Sequence, residues 1–199
     1  MTSLTFVSRG GLKLQHALAT FALDVTNLSA VDLGCSTGGF TDCLLQHGVT
    51  KVHAVDTAYG QLAWKLRNDP RVVVTERTNA LHAVPPSGGV ALAVADLGWT
   101  PQRLLIPAAL AWLAGYPSPM GIISLIKPHY ELKEVDAAPL PRGGVLSPQQ
   151  SLDVMEATLA RLPALGVSVI ATTPSPLLGG EHKGKGTGNI EYLAFLKAT

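Results

Sequence analysis

One segment of the sequence combines glycines, a serine and carboxylates in the pattern of a nucleotide-binding turn. It reads Asp32-Leu33-Gly34-Cys35-Ser36-Thr37-Gly38-Gly39-Phe40-Thr41-Asp42 and begins within the apolar run 30–33, which has the character of a buried strand. A strand that passes through a glycine-rich turn into a helix directs backbone N–H groups toward a ligand. Gly34 would permit the tight turn, and Gly38 and Gly39 would let a ligand approach the backbone closely.

The carboxylates around this turn indicate which cofactor it would bind. Asp56 ends the next strand-like run, a position from which a carboxylate accepts hydrogen bonds from ribose hydroxyls. The dinucleotide fingerprint requires glycine at the third position of the turn, and Ser36 stands there instead. Asp32 suits an ammonium group better than a phosphate. S-adenosylmethionine, which carries an amine and a ribose, therefore fits better than a dinucleotide. The alternative is that the glycines serve only helix–strand packing.

Further charged residues stand where apolar runs begin or end. Asp96 closes the run 90–95, Lys127 closes the run 121–126, and Glu191 precedes the last run, 192–197. Neighbouring parallel strands end at the same edge of a sheet, and an antiparallel last strand would begin at that edge. Lys13, on a leading helix, is a fourth candidate. Each of them alone could be a solvated charge at the edge of the sheet. A functional role is favoured because all four are expected to lie near the nucleotide-binding turn.

The elements that would position these residues alternate between strands and helices, as in α/β proteins. Apolar periodicity predicts helices over 12–23, 40–46, 60–67, 102–113 and 148–165, the last with Ser147 as its N-cap. Short apolar runs predict strands over 30–33, 51–55, 72–75, 90–95, 121–126, 167–172 and 192–197. The segments 128–147 and 174–189 fit no regular element. The expected fold is one Rossmann-like α/β domain over residues 1–199, doubly wound, with a seven-stranded, mostly parallel sheet and an antiparallel last strand.

The composition of the chain indicates where the protein is located and which kinds of partner it binds. Of its 199 residues, 47% are apolar and 15% are charged, and the net charge is +1. No apolar run reaches the roughly 18 residues of a membrane span, and residues 1–10 lack the apolar core of a signal peptide. Two cysteines, Cys35 and Cys43, indicate a reduced, cytoplasmic protein rather than a disulfide framework. The histidines show no metal-ligand spacing, and the low net charge weighs against a free-standing nucleic-acid binder.

Several motifs together resemble those of the FtsJ-type methyltransferases, and within them the TlyA group, also labelled hemolysin-like. They are spread over nearly the whole chain, at 8–14, 32–42, 54–56, 59–67, 76–80, 127–128 and 188–192. The resemblance implies an S-adenosylmethionine-dependent methyltransferase that modifies the ribose 2′-hydroxyl of RNA, with ribosomal RNA as the expected substrate.

The resemblance also assigns roles to individual residues. Carried over residue by residue, the family's Lys-Asp-Lys-Glu tetrad falls on Lys13, Asp96, Lys127 and Glu191. Lys127 would lie beside the ribose hydroxyl, either as the base that deprotonates it or as the cation that stabilises its oxyanion. Asp96 and Glu191 would orient the two lysines. The residues expected to bind the cofactor, with Asn79 near the adenine, are Asp32, Gly34, Ser36, Gly38, Gly39, Phe40, Asp56, Asn79 and Asp96.

The sequence departs from the TlyA pattern in three places. TlyA proteins usually carry an N-terminal S4-type RNA-binding domain, whereas this sequence begins almost at the motif 8–14. Residues 97–101 replace a polar stretch, and the segment 179–188 is longer than usual. The RNA would then be held by the catalytic domain or by a recruiting protein, and the oligomeric state stays open. The basic residues expected to gather at the cofactor edge are Arg9, Lys13, Lys127, Arg142, Lys183 and Lys185.

The aromatic residues fall into two predicted groups. Trp99, His129 and Tyr130 are expected to stack on splayed RNA bases, and Trp64 and Trp112 are expected in the core. Two alternative functions stay open at this point. A methyltransferase acting on a small-molecule hydroxyl predicts a closed apolar pocket beside the tetrad. A non-catalytic cofactor-binding protein would act through protein contacts, as the hemolysin-like label suggests.

Overall fold

The computed structural model describes residues 5–180 and 188–199, and within them strands and helices alternate along the chain. The strands are β1 (Ser29–Leu33), β2 (Lys51–Val55), β3 (Val72–Thr75), β4 (Leu92–Ala95), β5 (Gly121–Ile126), β6 (Val167–Pro174) and β7 (Tyr192–Ala198). The α-helices are α1 (Gly10–Thr20), α2 (Gly39–Gln46), α3 (Trp64–Arg67), α4 (Gln102–Leu113), α5 (Pro128–Glu131) and α6 (Pro148–Arg161).

The seven strands form one sheet in the order β3-β2-β1-β4-β5-β7-β6. The pairs among β1 to β5 are parallel, and β7 runs antiparallel to both of its neighbours. The chain order reverses at β1, which lies between β2 and β4, and open α/β sheets bind their ligands at such a switch point. The predicted Rossmann-like sheet with an antiparallel last strand is confirmed.

Alternate residues of the central strands pack against helices on the two faces of the sheet. Ala30 of β1 belongs to a buried cluster with Leu14 of α1 and Leu44 of α2. Its neighbour Val31 belongs to a second cluster, with Leu105 of α4. Because successive side chains of a strand point to opposite faces, a sheet covered on both sides needs nearly continuous apolar strands, and the strands β4 and β5 are buried throughout.

Several predicted boundaries differ from those observed. The leading helix begins two residues earlier than predicted, and the helix expected over 60–67 is formed only at Trp64–Arg67. The long helix predicted over 148–165 ends at Arg161 and continues as a 3-10 turn over Leu162–Leu165, because Pro163 cannot extend an α-helix. The segment 128–147, predicted to be irregular, begins with the short helix α5.

The described part of the chain bears on three other expectations. None of its helices is long and apolar enough to cross a membrane. It contains no group of His, Cys, Asp or Glu side chains that could hold a metal ion. Cys35 and Cys43 are buried free thiols.

Candidate active site

A cleft of about 780 Å³ opens at the carboxyl ends of β1 and β4, beside the switch point of the sheet. It is lined by backbone and polar side chains from the turn after β1, from the ends of β2, β4 and β5, and from the start of α1. The predicted cofactor and tetrad residues that line it are Lys13, Asp32, Gly34, Ser36, Gly39, Phe40, Asp56, Asn79, Asp96, Lys127 and Glu191.

Asp32, near the end of β1, is fully buried at the floor of this cleft. Its Oδ2 accepts hydrogen bonds from the backbone N–H of Thr41, at 2.9 Å, and from the Thr41 hydroxyl, at 2.7 Å. Its Oδ1 is also buried but has no hydrogen-bond partner among the described residues. Burial raises the pKa of the Asp32 carboxyl to about 7, although the Thr41 bonds act in the opposite direction. An unpartnered buried carboxylate oxygen is costly, and a cationic ligand would relieve that cost.

Asp56, directly after β2, holds the turn in place. One of its oxygens accepts the N–H of Ser36 at 2.7 Å, and the other accepts the N–H of Ala58 at 2.8 Å. Ser36 lies in the left-handed region, with φ +49°, and the hydrogen bond to Asp56 stabilises this conformation. Asn79 is exposed, lines the cleft and accepts the N–H of Leu81 with its side-chain oxygen.

Two of the turn glycines lie close against neighbouring segments. Gly38 is buried away from the cleft, with φ +99°, and a Cβ at this position would lie 2.3 Å from the side chain of Leu66. A Cβ at Gly39 would meet the Ser8 hydroxyl at 2.3 Å. These glycines therefore permit close packing of the turn against neighbouring segments. Gly39 lines the cleft and Gly38 does not, and the role of both in the approach of a ligand stays a prediction.

The four tetrad residues form a continuous chain of charges along one wall of the cleft. Lys127 Nζ lies 2.5 Å from Asp96 Oδ1, and Lys13 Nζ lies 2.6 Å from Glu191 Oε2. Lys13 Nζ is also 3.9 Å from Asp96 Oδ2, which joins the two pairs. Both lysine side chains are largely buried, and Glu191 is only 3% exposed. Alternating charges in this order cancel their mutual repulsion, so two ammonium groups can share a small volume.

The sheet explains why residues so distant in sequence meet. Asp96 and Lys127 directly follow the neighbouring parallel strands β4 and β5. Tyr192 pairs with Ile126 across the antiparallel strands, which brings Glu191 to the same edge. A Cβ on Gly179 would lie 2.1 Å from Glu191 Oε1, so the Glu191 carboxylate occupies space that only glycine leaves open.

An aromatic cluster borders the cleft next to Lys127. The rings of Trp99 and Tyr130 lie 4.8 Å apart, and those of Tyr130 and His129 lie 4.1 Å apart. Trp99 lines the cleft and is 84% exposed. Burial, with a further effect from Lys127, lowers the pKa of His129 to about 4, so its ring is neutral at neutral pH.

The other aromatic and basic predictions have mixed outcomes. Trp112 is buried, as predicted, whereas Trp64 is 77% exposed, because residues two apart on a helix face different sides and Leu66 is on the buried side of α3. Arg9 lines the cleft together with the two tetrad lysines, but Arg142 does not. The predicted basic residues Lys183 and Lys185 lie outside the described residues.

Sequence reasoning missed three residues of this site. Thr41 supplies both hydrogen bonds to Asp32, Gly179 makes room for Glu191, and Glu131 accepts a hydrogen bond from the first residue of α4. Of the three, only Glu131 could have been suspected from the sequence, because it is a carboxylate one helical turn after Lys127. The contacts of Thr41 and Gly179 depend on the assembled fold.

Comparison with known proteins identifies the family. The FtsJ-like methyltransferase family matches residues 6–172. The 16S/23S rRNA (cytidine-2'-O)-methyltransferase TlyA of Mycobacterium tuberculosis strain H37Rv is 42% identical over 196 residues, which cover 96% of this chain and 68% of that protein. A Bacillus subtilis strain 168 protein with the provisional name rRNA methyltransferase YqxC is 39% identical over 196 residues, which cover 97% of this chain and 66% of that protein.

A solved structure is also similar over nearly the whole chain. A Streptococcus thermophilus protein with the provisional name hemolysin has a TM-score of 0.85 and 37% identity, and the match covers 99% of this chain and 68% of that one. The chain thus spans about two thirds of the length of these relatives. The chain belongs to the FtsJ-like methyltransferase family.

Proposed function

We propose that this methyltransferase transfers the methyl group of S-adenosylmethionine to a ribose 2′-hydroxyl of RNA, with ribosomal RNA as the substrate. The observation that carries the proposal is the continuous chain of ion pairs, Lys127–Asp96–Lys13–Glu191, in the same cleft as the turn after β1. The names of the TlyA and YqxC relatives, which refer to rRNA methylation, support the same substrate class.

The residues around the turn fit S-adenosylmethionine. The buried, unpartnered Oδ1 of Asp32 is suited to an ammonium group, as on the methionine part of the cofactor. Asp56 accepts two backbone N–H groups, but a carboxylate has about four lone-pair sites, so it can also accept the ribose hydroxyls. Asn79 would contact the adenine from the same cleft.

The tetrad has the groups that the reaction needs. When bound, S-adenosylmethionine supplies an electrophilic methyl group on a sulfonium. A ribose hydroxyl is a poor nucleophile and must give up its proton as its oxygen takes the methyl group. Lys127 would either accept that proton as the base or, as a cation, stabilise the negative charge on the oxygen while the proton passes to water. Asp96 holds the Lys127 ammonium, while Lys13 and Glu191 hold Asp96 in turn. This arrangement fixes the direction from which the hydroxyl oxygen approaches the methyl group.

The shape of the cleft favours RNA over a small molecule. A small-molecule acceptor predicts a closed apolar pocket beside Lys127, whereas the observed cleft is open and mostly polar. Trp99 stands exposed at its border, in contact with Tyr130, where a splayed base could stack. A non-catalytic role gives no reason for four charged side chains to be assembled at one site.

The direct test is methyl transfer to RNA. Purified protein is incubated with methyl-labelled S-adenosylmethionine and either ribosomal or total cellular RNA, and alkali-stable label is measured in the RNA. We expect wild type to label the RNA and Lys127→Ala to lose at least about 100-fold in rate, because a charge-stabilising group is removed. Its dissociation constant for S-adenosylmethionine should change by less than about twofold.

The matched control is Lys51→Ala, which removes an exposed lysine at the start of β2. This variant should keep the wild-type rate. Wild-type protein that binds the cofactor but labels no RNA, with or without added ribosomal proteins as recruiting partners, would overturn the RNA assignment. Loss of cofactor binding in Lys127→Ala would contradict the role given to Lys127.

A further inference from the structure

The short helix α5 connects Lys127 to the loop that follows Asp96. This helix begins directly after Lys127, and two of its residues contact the 97–102 segment. The ring of Tyr130 lies 4.8 Å from that of Trp99. Glu131 Oε1 accepts the backbone N–H of Gln102, the first residue of α4, at 2.9 Å. The loop after β4 is therefore bound to the segment after β5 at two points.

Gln102 closes this connection back to the strand β5. Its side-chain oxygen accepts the hydroxyl of Ser124 at 2.7 Å, and its amide group donates to the carbonyl of Leu125 at 3.5 Å. Ser124 and Leu125 are the residues of β5 that come shortly before Lys127. The side chains of Ser124, Gln102 and Glu131 are all buried. A closed circuit of buried hydrogen bonds thus links β5, the start of α4 and α5.

The Asp96 loop needs such an anchor. At one end Asp96 donates its N–H to the carbonyl of Leu33. In the middle Trp99 adopts a left-handed conformation, with φ +60°, which is unfavourable for a large side chain. A strained loop keeps its conformation only when its ends are held. The Asp96–Lys127 contact in turn depends on how the ends of β4 and β5 lie relative to each other.

Packing alone does not account for a carboxylate at position 131. Glu131 is 2% exposed, and burial raises its pKa to about 7. A buried carboxyl group costs stability, and an apolar side chain of similar volume would fill the site without that cost. The backbone N–H of Gln102 requires an acceptor at this position, and Glu131 is that acceptor.

We propose that Glu131 is a positioning residue of the catalytic centre, which acts through Gln102 and Ser124 to hold the Asp96 loop against the strand that delivers Lys127. The proposal rests on the proposed function for its kinetic consequence, but its structural consequence is independent of the substrate.

The test compares Glu131→Gln, which keeps an acceptor oxygen, with Glu131→Met, which keeps the volume but removes the acceptor. Val167→Ala serves as the control, because Val167 is fully buried at the start of β6 and is not part of the cleft. We expect Glu131→Met to lower kcat by about 10- to 100-fold, the cost of misplacing a reacting group by about 1 Å. Its dissociation constant for S-adenosylmethionine should rise by a smaller factor than kcat falls, because Asp32 and Asp56 lie outside the circuit and Asp96 is the one expected cofactor-binding residue in the affected loop.

Glu131→Gln should restore kcat to within about threefold of wild type, whereas Val167→Ala should lose stability but keep kcat per folded molecule. Hydrogen exchange followed by mass spectrometry provides a readout that does not depend on activity. The peptide over 97–104 should exchange faster in Glu131→Met than in wild type, and it should exchange at the wild-type rate in Glu131→Gln. If Glu131→Met does not fold, Ser124→Ala breaks the same circuit at another point.

The two proposals fail in different ways. Wild type that transfers no methyl group to RNA overturns the proposed function, while the exchange experiment still decides on Glu131. A Glu131→Met variant that exchanges like wild type and keeps its kcat overturns the positioning role. A Glu131→Gln variant as slow as Glu131→Met also contradicts it, because the acceptor oxygen would then not be what matters.

Discussion

At the scale of single residues, two of the carboxylates that line the cleft lie in opposite environments. Asp56 is partly exposed, and each of its oxygens accepts a backbone N–H. Asp32 is fully buried, and one of its oxygens has no partner in the described part of the chain. Because burial is the dominant effect, Asp32 is neutral in a large fraction of molecules near neutral pH. The negative charge of Asp32, which would bind the cofactor amine, is therefore fully present only when the pH is above the pKa of this carboxyl, about 7.

This difference predicts a pH-dependent affinity for S-adenosylmethionine. The pKa of Asp32 in the free protein is raised to about 7, and a bound ammonium group favours the ionised carboxylate. Affinity should therefore rise as the pH increases toward 7, by up to about tenfold per pH unit, and level off above it. Calorimetry between about pH 5.5 and 7.5, in buffers of different ionisation enthalpy, should show proton release on binding below pH 7.

Asp32→Asn is the control for this pH dependence. Asparagine can still accept the two hydrogen bonds from Thr41 but does not titrate. Its affinity for S-adenosylmethionine should be weaker than that of wild type at pH 7.5 and flat over the same range. A flat profile in wild type would mean that Asp32 is ionised before the cofactor arrives.

Gly179 supports a second prediction at this scale. A Cβ at this position would lie 2.1 Å from Glu191 Oε1 and 2.6 Å from its Cδ, so Gly179→Ala must displace the Glu191 carboxylate from Lys13. We expect kcat to fall by about tenfold or more, with the affinity for S-adenosylmethionine little changed. Gly143→Ala, whose added methyl group meets nothing within 4 Å, should keep the wild-type rate. Equal rates in the two variants would show that the exact position of Glu191 is unimportant.

At the scale of elements, the apolar pattern of the sequence predicted most of the sheet. The bounds of β2, β3, β5 and α4 agree with the prediction. These segments are apolar runs or periodic patterns bounded by residues that end an element, as Lys127-Pro128 ends β5. The neighbouring strands in turn place Asp96 and Lys127 together. The edge at which the tetrad assembles could therefore be deduced from sequence.

The contacts that support the tetrad could not be deduced in this way. Gly179 lies against Glu191, and Gln102 lies against Ser124 and Glu131, only after the sheet and its loops have assembled. The exposure of Trp64 was also missed, because a four-residue helix has no periodicity from which its buried face could be recognised. Local pattern identifies which residues reach the edge, and tertiary packing decides what each of them touches.

The N-terminus of α6 supports a prediction at the element scale. Ser147 accepts the N–H of Gln150 with its hydroxyl, and the Gln150 side chain accepts the N–H of Ser147, which is a reciprocal capping box. Ser147→Ala should therefore lower the free energy of unfolding by about 1 kcal/mol. Urea denaturation measures this loss. Gln149→Ala, an exposed substitution in the same turn, should change it by less than about 0.5 kcal/mol, and equal losses would contradict the cap.

At the scale of the whole molecule, the chain carries little excess positive charge with which to attract a polyanion from a distance. The net charge is only +1. Among the described residues, the cleft is lined by three cations, Arg9, Lys13 and Lys127, and by four carboxylates, and the two lysines are paired with Asp96 and Glu191. Long-range attraction of a polyanion needs a larger excess of positive charge. Specificity in this chain would then come from shape and stacking at the cleft.

The salt dependence of RNA binding tests this view. Each phosphate that a cation neutralises on a single strand contributes about −0.7 to the slope of log K against log salt concentration. With three cations in the described part of the cleft, we expect a slope no steeper than about −2 for a single-stranded oligoribonucleotide. Fluorescence anisotropy at several salt concentrations measures it, with Lys183→Ala/Lys185→Ala as the comparison. A slope near −4 that becomes shallower in this double variant would contradict the expectation. It would show that Lys183 and Lys185 bind the RNA backbone in addition to the cleft cations.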